Sequence, residues 1–140
     1  MKKLTSIVLV LVLMVAAAVP AFAAVPETVA PLYINTSQAS IGLAFSDDGV
    51  ASVAIRCTGK SSATGIDAEV YLERKVGSAW IRVTLDNGAN SWTESVTTRY
   101  LIKSYTQAVN IRGEYRATVV YTIHGTTQDE TLTFFDTQTF

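Results

Sequence analysis

The chain has 140 residues, 49% of them hydrophobic and 16% charged, with a formal net charge of −1. That balance excludes a strongly basic nucleic-acid binder, because neutralising phosphates takes clustered Lys and Arg. It also excludes a polybasic membrane-surface protein. A single Cys and a single His exclude a disulfide framework and a four-ligand zinc site built from Cys and His.

The first element is a leader. Met1-Lys2-Lys3 is a positive start, residues 7–19 are uncharged and almost wholly apolar, and Pro20 breaks the run before Ala21-Phe22-Ala23. A basic start, an apolar stretch and an A-x-A site in that order read as a secretory signal peptide over residues 1–23. The apolar run is shorter than the roughly 20 residues a spanning helix needs. Cleavage after Ala23 removes Lys2 and Lys3 and leaves a more acidic mature chain, expected to be secreted with no membrane span. No Cys follows the apolar run, so lipid attachment at a new N-terminal Cys is not available.

Residues 24–37 contain Pro26 and Pro31 and have no period, which makes them an extended lead-in with a candidate edge strand around Tyr33. Residues 38–140 form the domain, and their period is two almost throughout. Ile41, Leu43 and Phe45 share one parity, as do Ala51, Val53, Ile55 and Cys57. Ile66, Ala68, Val70 and Leu72 do the same, followed by Ile81, Val83 and Leu85. Tyr115, Ala117, Val119, Tyr121 and Ile123 are apolar or aromatic at every second position. Thr131 to Phe135 close the pattern, with Leu132 and Phe134 on one face. Each set is expected to face a core.

Two turns fix registers. A Gly77-Ser78 type II′ loop sets Leu72 opposite Val83, Val70 opposite Leu85, Glu73 opposite Arg82 and Lys75 opposite Trp80. For Asp47-Asp48-Gly49, a two-residue loop would pair buried Phe45 with exposed Ser52, and a one-residue slip inverts both faces. A three-residue loop with Gly49 in the left-handed position pairs Phe45 with Ala51, Leu43 with Val53 and Ile41 with Ile55. Parity selects the longer loop. Between Asn87 and Gln107 the pattern weakens, although Trp92, Val96 and Tyr100 share a parity that suits a one-sided edge strand. Short strands between turn residues predict an all-β sandwich of about seven strands.

Gly113-Glu114-Tyr115-Arg116-Ala117 resembles the start of strand F in immunoglobulin-like sandwiches, where a Tyr hydroxyl bonds back to upstream backbone. Val53-Ala54-Ile55-Arg56-Cys57 resembles their strand B. Antibody-type domains have a second Cys where this chain has Ala117, so their bridge cannot form. The Trp of their strand C is replaced near Tyr71-Leu72. The leader, the hairpin from Tyr71 to Val83 and Gly113-Glu114-Tyr115-Arg116 together resemble small secreted proteins of Gram-positive bacteria with no assigned activity. That resemblance implies a compartment and an immunoglobulin-like antiparallel β-sandwich, and it implies no chemistry.

The chemistry-bearing residues are few. His124 lies beside the Gly125 turn, and Cys57 shares the parity of Val53 and Ile55, which makes it a small buried hydrophobe. There is no Gly-x-Ser-x-Gly elbow and no glycine-rich phosphate loop. Asp67, Glu69 and Glu73 read as the solubilising face of one strand. Asp47-Asp48, Asp86-Asn87 and Asp129-Glu130 lie near turns, without calcium-loop spacing. Asn35-Thr36-Ser37 fits a glycosylation sequon. No cofactor, no metal and no enzymatic activity are expected.

The remaining feature is aromatic. Parity and register turn Tyr71 and Trp80 outward on adjacent strands, where such rings anchor a protein partner or stack on sugars. The expectation is a secreted, non-enzymatic binding module for an extracellular protein or glycan. The alternative is a carbohydrate-binding module using the Tyr71/Trp80 face.

Overall fold

A computed structural model of the chain describes residues 32–140; the expected leader and the first part of the lead-in lie outside the described residues. The described chain forms eight strands: β1 (Thr36–Phe45), β2 (Val50–Gly59), β3 (Ala63–Val76), β4 (Ala79–Arg82), β5 (Trp92–Val96), β6 (Tyr100–Ala108), β7 (Glu114–Gly125) and β8 (Glu130–Thr139). Among the described residues there is no helix, and so none long and apolar enough to cross a membrane. The strands pair antiparallel throughout. One sheet has the order β1-β2-β6; the other has the order β4-β3-β7-β8, with β5 pairing the same long strand β3.

The period-two residues meet between the sheets. Ala51, Val53, Ile55 and Cys57 of β2 are buried, as are Ile66, Ala68, Val70 and Leu72 of β3 and Tyr115 to Ile123 at alternate positions of β7. Each buried Val, Leu or Ile contributes roughly 1.5–3 kcal/mol through the area it removes from water. β8 adds Leu132 and Phe134 from its inward parity. Tyr121 reaches across the core, its hydroxyl 2.9 Å from the Ser40 carbonyl and 3.1 Å from the Arg56 carbonyl. That contact gives the buried phenol a partner, while burial raises its pKa and keeps it protonated.

The Asp47–Gly49 register is present in full, and the Gly77-Ser78 register as far as Arg82. Phe45 pairs with Ala51, Leu43 with Val53 and Ile41 with Ile55. The loop closes through the Gly49 N–H to the Ser46 carbonyl at 3.0 Å, and Gly49 has φ 81°. A Cβ there would lie 2.8 Å from the Val109 carbonyl oxygen, so both conformation and space select glycine. At the second turn Glu73 pairs with Arg82 and Lys75 with Trp80. Gly77 has φ 62° while no non-glycine residue has positive φ, the pattern of a type II′ loop.

Three expectations need correction. Ile81 pairs with Arg74 at the end of the sandwich and is 53% exposed, facing a cleft instead of the closed core. Val70 pairs with Trp92 of β5, not with Leu85. β4 pairing stops at Arg82, and a turn with the Gly88 N–H on the Leu85 carbonyl takes the chain away from β3. Leu85 is buried nonetheless. Trp92 and Val96 do lie on an edge strand, but Tyr100 belongs to β6 in the opposite sheet. Parity does not carry across the residues that change sheets.

Candidate functional site

The outer face of the five-stranded sheet is built from the polar parity of β3, β4, β7 and β8. It carries Tyr71, Glu73 and Lys75 from β3, Trp80 and Arg82 from β4, Arg116 from β7 and Phe135 from β8. Tyr71 and Trp80 are both half-buried and both outside the core.

Cations cover the two rings. The Arg82 guanidinium lies 3.8 Å from the Tyr71 ring centre and contacts Glu69 at 3.4 Å. Trp80 has the Arg116 guanidinium at 4.5 Å and the Lys75 ammonium at 5.7 Å. Such contacts are worth about 0.5–1 kcal/mol at exposed sites. The Lys75–Trp80 contact follows from the hairpin register; the Arg116–Trp80 contact reaches across β3 and needs the β3–β7 pairing.

Glu73 makes a different partnership from the one its hairpin offers. It lies opposite Arg82, yet its Oε2 accepts from Arg116 Nε at 2.8 Å and contacts Arg116 Nη2 at 2.7 Å. Glu73 is only 8% exposed, so this pair is partly desolvated, and removing either member leaves a buried charge. Arg116 therefore sits between Trp80, Glu73 and Phe135, whose ring centre is 5.7 Å away. Phe135 is 65% exposed, the open ring of the cluster. Phe135 is not among the outward rings expected from the sequence, although its alternation with Leu132 and Phe134 is the signal for it; its position beside Thr118 needs the β7–β8 register.

His124 is half-exposed at the end of β7, as expected for a residue beside the Gly125 turn. Its Nε2 lies 2.8 Å from Asp67 and its Nδ1 3.0 Å from Asp129, partners that adjacent sequence does not reveal. These bonds, the Asp67 one first, raise its pKa. Both ring nitrogens are thereby engaged, and no nucleophile is poised on either. Among the described residues no three His, Cys, Asp or Glu side chains gather as a metal site.

The carboxylates of two of the three turns are committed to protein donors, while Asp47 and Asp48 are exposed. Asp86 accepts from Gln107 Nε2 at 2.8 Å, and Asp129 from the Gly125 N–H at 3.4 Å. Glu130 accepts from the Ile34 and Asn35 N–H groups at 2.7 and 3.0 Å and from the Thr36 hydroxyl at 2.7 Å. Asn35 of the sequon is 3% exposed and donates to the Gln128 carbonyl, so its amide is spent inside the fold. Cys57 is fully buried, and burial, with the Glu130 charge adding, pushes its thiol up to about 11. Comparison with known proteins finds no matching family model, no matching curated protein and no matching solved structure.

Proposed function

We propose that the chain is a secreted, non-enzymatic binding module with an immunoglobulin-like sandwich, and that it meets a protein partner through the outer face bearing Tyr71, Trp80 and Phe135. The observation that carries this reading is the Trp80–Arg116–Phe135 cluster, an exposed ring mounted on an arginine held in place by a nearly buried Glu73. Aromatic and arginine side chains fixed before contact lose little entropy on binding, which is why they dominate protein interfaces.

The immunoglobulin-like assignment is supported by the division of strands between the sheets and by Tyr115. Its hydroxyl donates to the Ile111 carbonyl four residues upstream at 2.6 Å, the bond that defines a tyrosine corner. Cys57 and Ala117 are both fully buried on β2 and β7, where antibody-type domains carry their bridge. Export is supported by the leader sequence alone.

A protein is favoured over a glycan because Arg82 and Arg116 already lie on the Tyr71 and Trp80 rings. The test compares residues 24–140 with the same chain carrying Phe135→Ala, each immobilised against envelope proteins and against cell-wall glycan. Phe135→Ala removes little buried area and should leave Tm within a few degrees. The expected result is a protein retained by the first and lost by the variant. Equal retention by both, or retention of glycan alone, overturns the reading.

A further inference from the structure

Two arginines of the described chain are half-buried, Arg74 and Arg116. Arg116 has Glu73 at 2.7 Å. Arg74 has no carboxylate within 4.0 Å among the described residues. Taking a guanidinium partly out of water costs free energy unless an anion repays it. The fold supplies one to Arg116 and none to Arg74.

Arg74 is also differently placed. It has the inward parity of Val70 and Leu72 but lies beyond the closed core, paired with Ile81 on one side and Tyr115 on the other. There it lines a cleft of about 380 Å³ between β4 and the β6–β7 connection, with Ile81, Val83, Ile111 and Tyr115 around it. The volume is within the range of small-ligand sites. Ile81 and Ile111, one on each wall, are each 53% exposed. Asp86 is the acidic residue lining this cleft, and its Oδ1 is held by Gln107 Nε2 at 2.8 Å. Tyr115 spends its proton on the Ile111 carbonyl. Arg82 also lines the cleft, but its guanidinium lies on the Tyr71 ring and against Glu69, so the charged donor left over is the Arg74 guanidinium.

We propose that this cleft binds a carboxylate carried on a branched apolar group, with Arg74 on the carboxylate and Ile81 and Ile111 on the hydrocarbon. The planar fork of Arg matches a carboxylate through two parallel hydrogen bonds. The same chemistry is offered by a free branched-chain acid and by a peptide ending in a leucine carboxylate. The cleft borders the outer aromatic face at Arg82, and Ile81 points away from the side of β4 that carries Trp80.

The experiment is an amide-shift NMR titration of residues 24–140 with three probes: 4-methylpentanoate, a hexapeptide with a C-terminal leucine carboxylate, and the same hexapeptide amidated. Shifts clustered at residues 74, 81–83 and 109–111 are expected with a carboxylate probe and not with the amide. If both acids bind equally the ligand is a small acid; tighter binding of the peptide assigns a chain terminus. Arg74→Met keeps the apolar stem, so Tm should hold while carboxylate affinity falls about tenfold or more. Raising salt should weaken binding in the parent chain only. Equal shifts from acid and amide, no shift with any probe, or unchanged affinity in Arg74→Met overturns the proposal.

Discussion

The Trp92 indole and the Tyr105 ring stack 4.8 Å apart and 13° from parallel, and they come from different sheets. β5 pairs the outer edge of β3, and β6 is the outer edge of the smaller sheet. The stack therefore closes the sandwich along one open side, with Lys103 and Glu94 adding a 3.5 Å ion pair across the same gap. On the opposite side Asp136 of β8 accepts the Leu43 N–H of β1 at 2.8 Å, beside the stacked rings of Phe45 and Phe140. Each side joins the sheets with an aromatic pair and a polar contact. That covers core edges which the strand ladders leave open.

Tyr105 carries an unusual cost in this closure. Its hydroxyl oxygen is buried with no hydrogen-bond partner within 3.5 Å; burial first, then the charge and the looser approach of the Glu94 carboxylate, raises its pKa and keeps the phenol protonated. An unmet buried hydroxyl costs about 1–3 kcal/mol. Tyr105→Phe should therefore leave stability unchanged or raise it by up to about 1 kcal/mol. Chemical denaturation measures this, and a loss above about 1 kcal/mol would show that the hydroxyl has a partner. Trp92→Ala and Tyr105→Ala should couple by about 0.5–1.5 kcal/mol in a double-mutant cycle.

Cys57 is fully buried on β2, and its thiol is pushed up to about 11. A thiol reagent needs both access and thiolate, so native protein should resist labelling until denaturant is added. Cys57→Ala should cost about 1–2 kcal/mol, the scale of a small buried side chain. Rapid labelling of native protein would refute the inward parity of Ala51, Val53, Ile55 and Cys57.

What the sequence made legible was local. The Phe45–Ala51 and Lys75–Trp80 pairings follow from loop length and parity, because a hairpin register depends only on residues a few positions apart. Ile81 shows the limit of parity: it tells which face a residue takes, but not how far the opposing sheet extends over it. Trp92 and Tyr100 share a parity by accident of spacing, since the chain changes sheets between them. Tyr71 and Trp80 were legible as outward rings, yet Arg116 and Phe135 were not legible as their neighbours. Those contacts depend on β3–β7 and β7–β8 registers between strands that no short turn defines on both sides. The same holds for Asp67 with His124 and for Glu130 with Asn35.

Glu130 ties down the start of the described chain. Burial pulls its carboxyl upward, but hydrogen bonds from the Thr36 hydroxyl and the N–H groups of Ile34, Asn35 and Thr36 outweigh it and hold the pKa below the ordinary value. A depressed carboxylate contributes stability that is present above its unfolded pKa of about 4.3 and lost as pH falls through the folded value. Glu130→Gln keeps the shape but removes the charge and one acceptor oxygen. It should cost about 1–3 kcal/mol at pH 7 and reduce the loss of Tm below pH 5. Amide exchange at residues 34–36 should speed up in the variant, and unchanged protection there would contradict the anchoring role.

His124 should behave in the opposite sense. Its ring bridges Asp67 of β3 and Asp129 of the β7–β8 loop, and engaging both nitrogens as donors requires the imidazolium. The Asp67 bond, then the Asp129 bond, raises its pKa, while bonds from Ser95 and His124 lower that of Asp67. A raised His contributes stability fully present below its unfolded pKa of about 6.5 and lost as pH rises through the folded value. A lowered Asp contributes stability present above about 3.9 and lost as pH falls. The bridge is therefore complete between those limits and weakens on the alkaline side through His124. Proton NMR of the ring should give a titration midpoint above 6.5, and Asp67→Asn should bring it down. His124→Gln should flatten the decline of Tm between pH 6 and pH 9 while leaving the acid side, where Glu130 acts, in place. A midpoint at or below 6.5 in the parent chain would mean that the ring is neutral at pH 7 and holds one carboxylate instead of two.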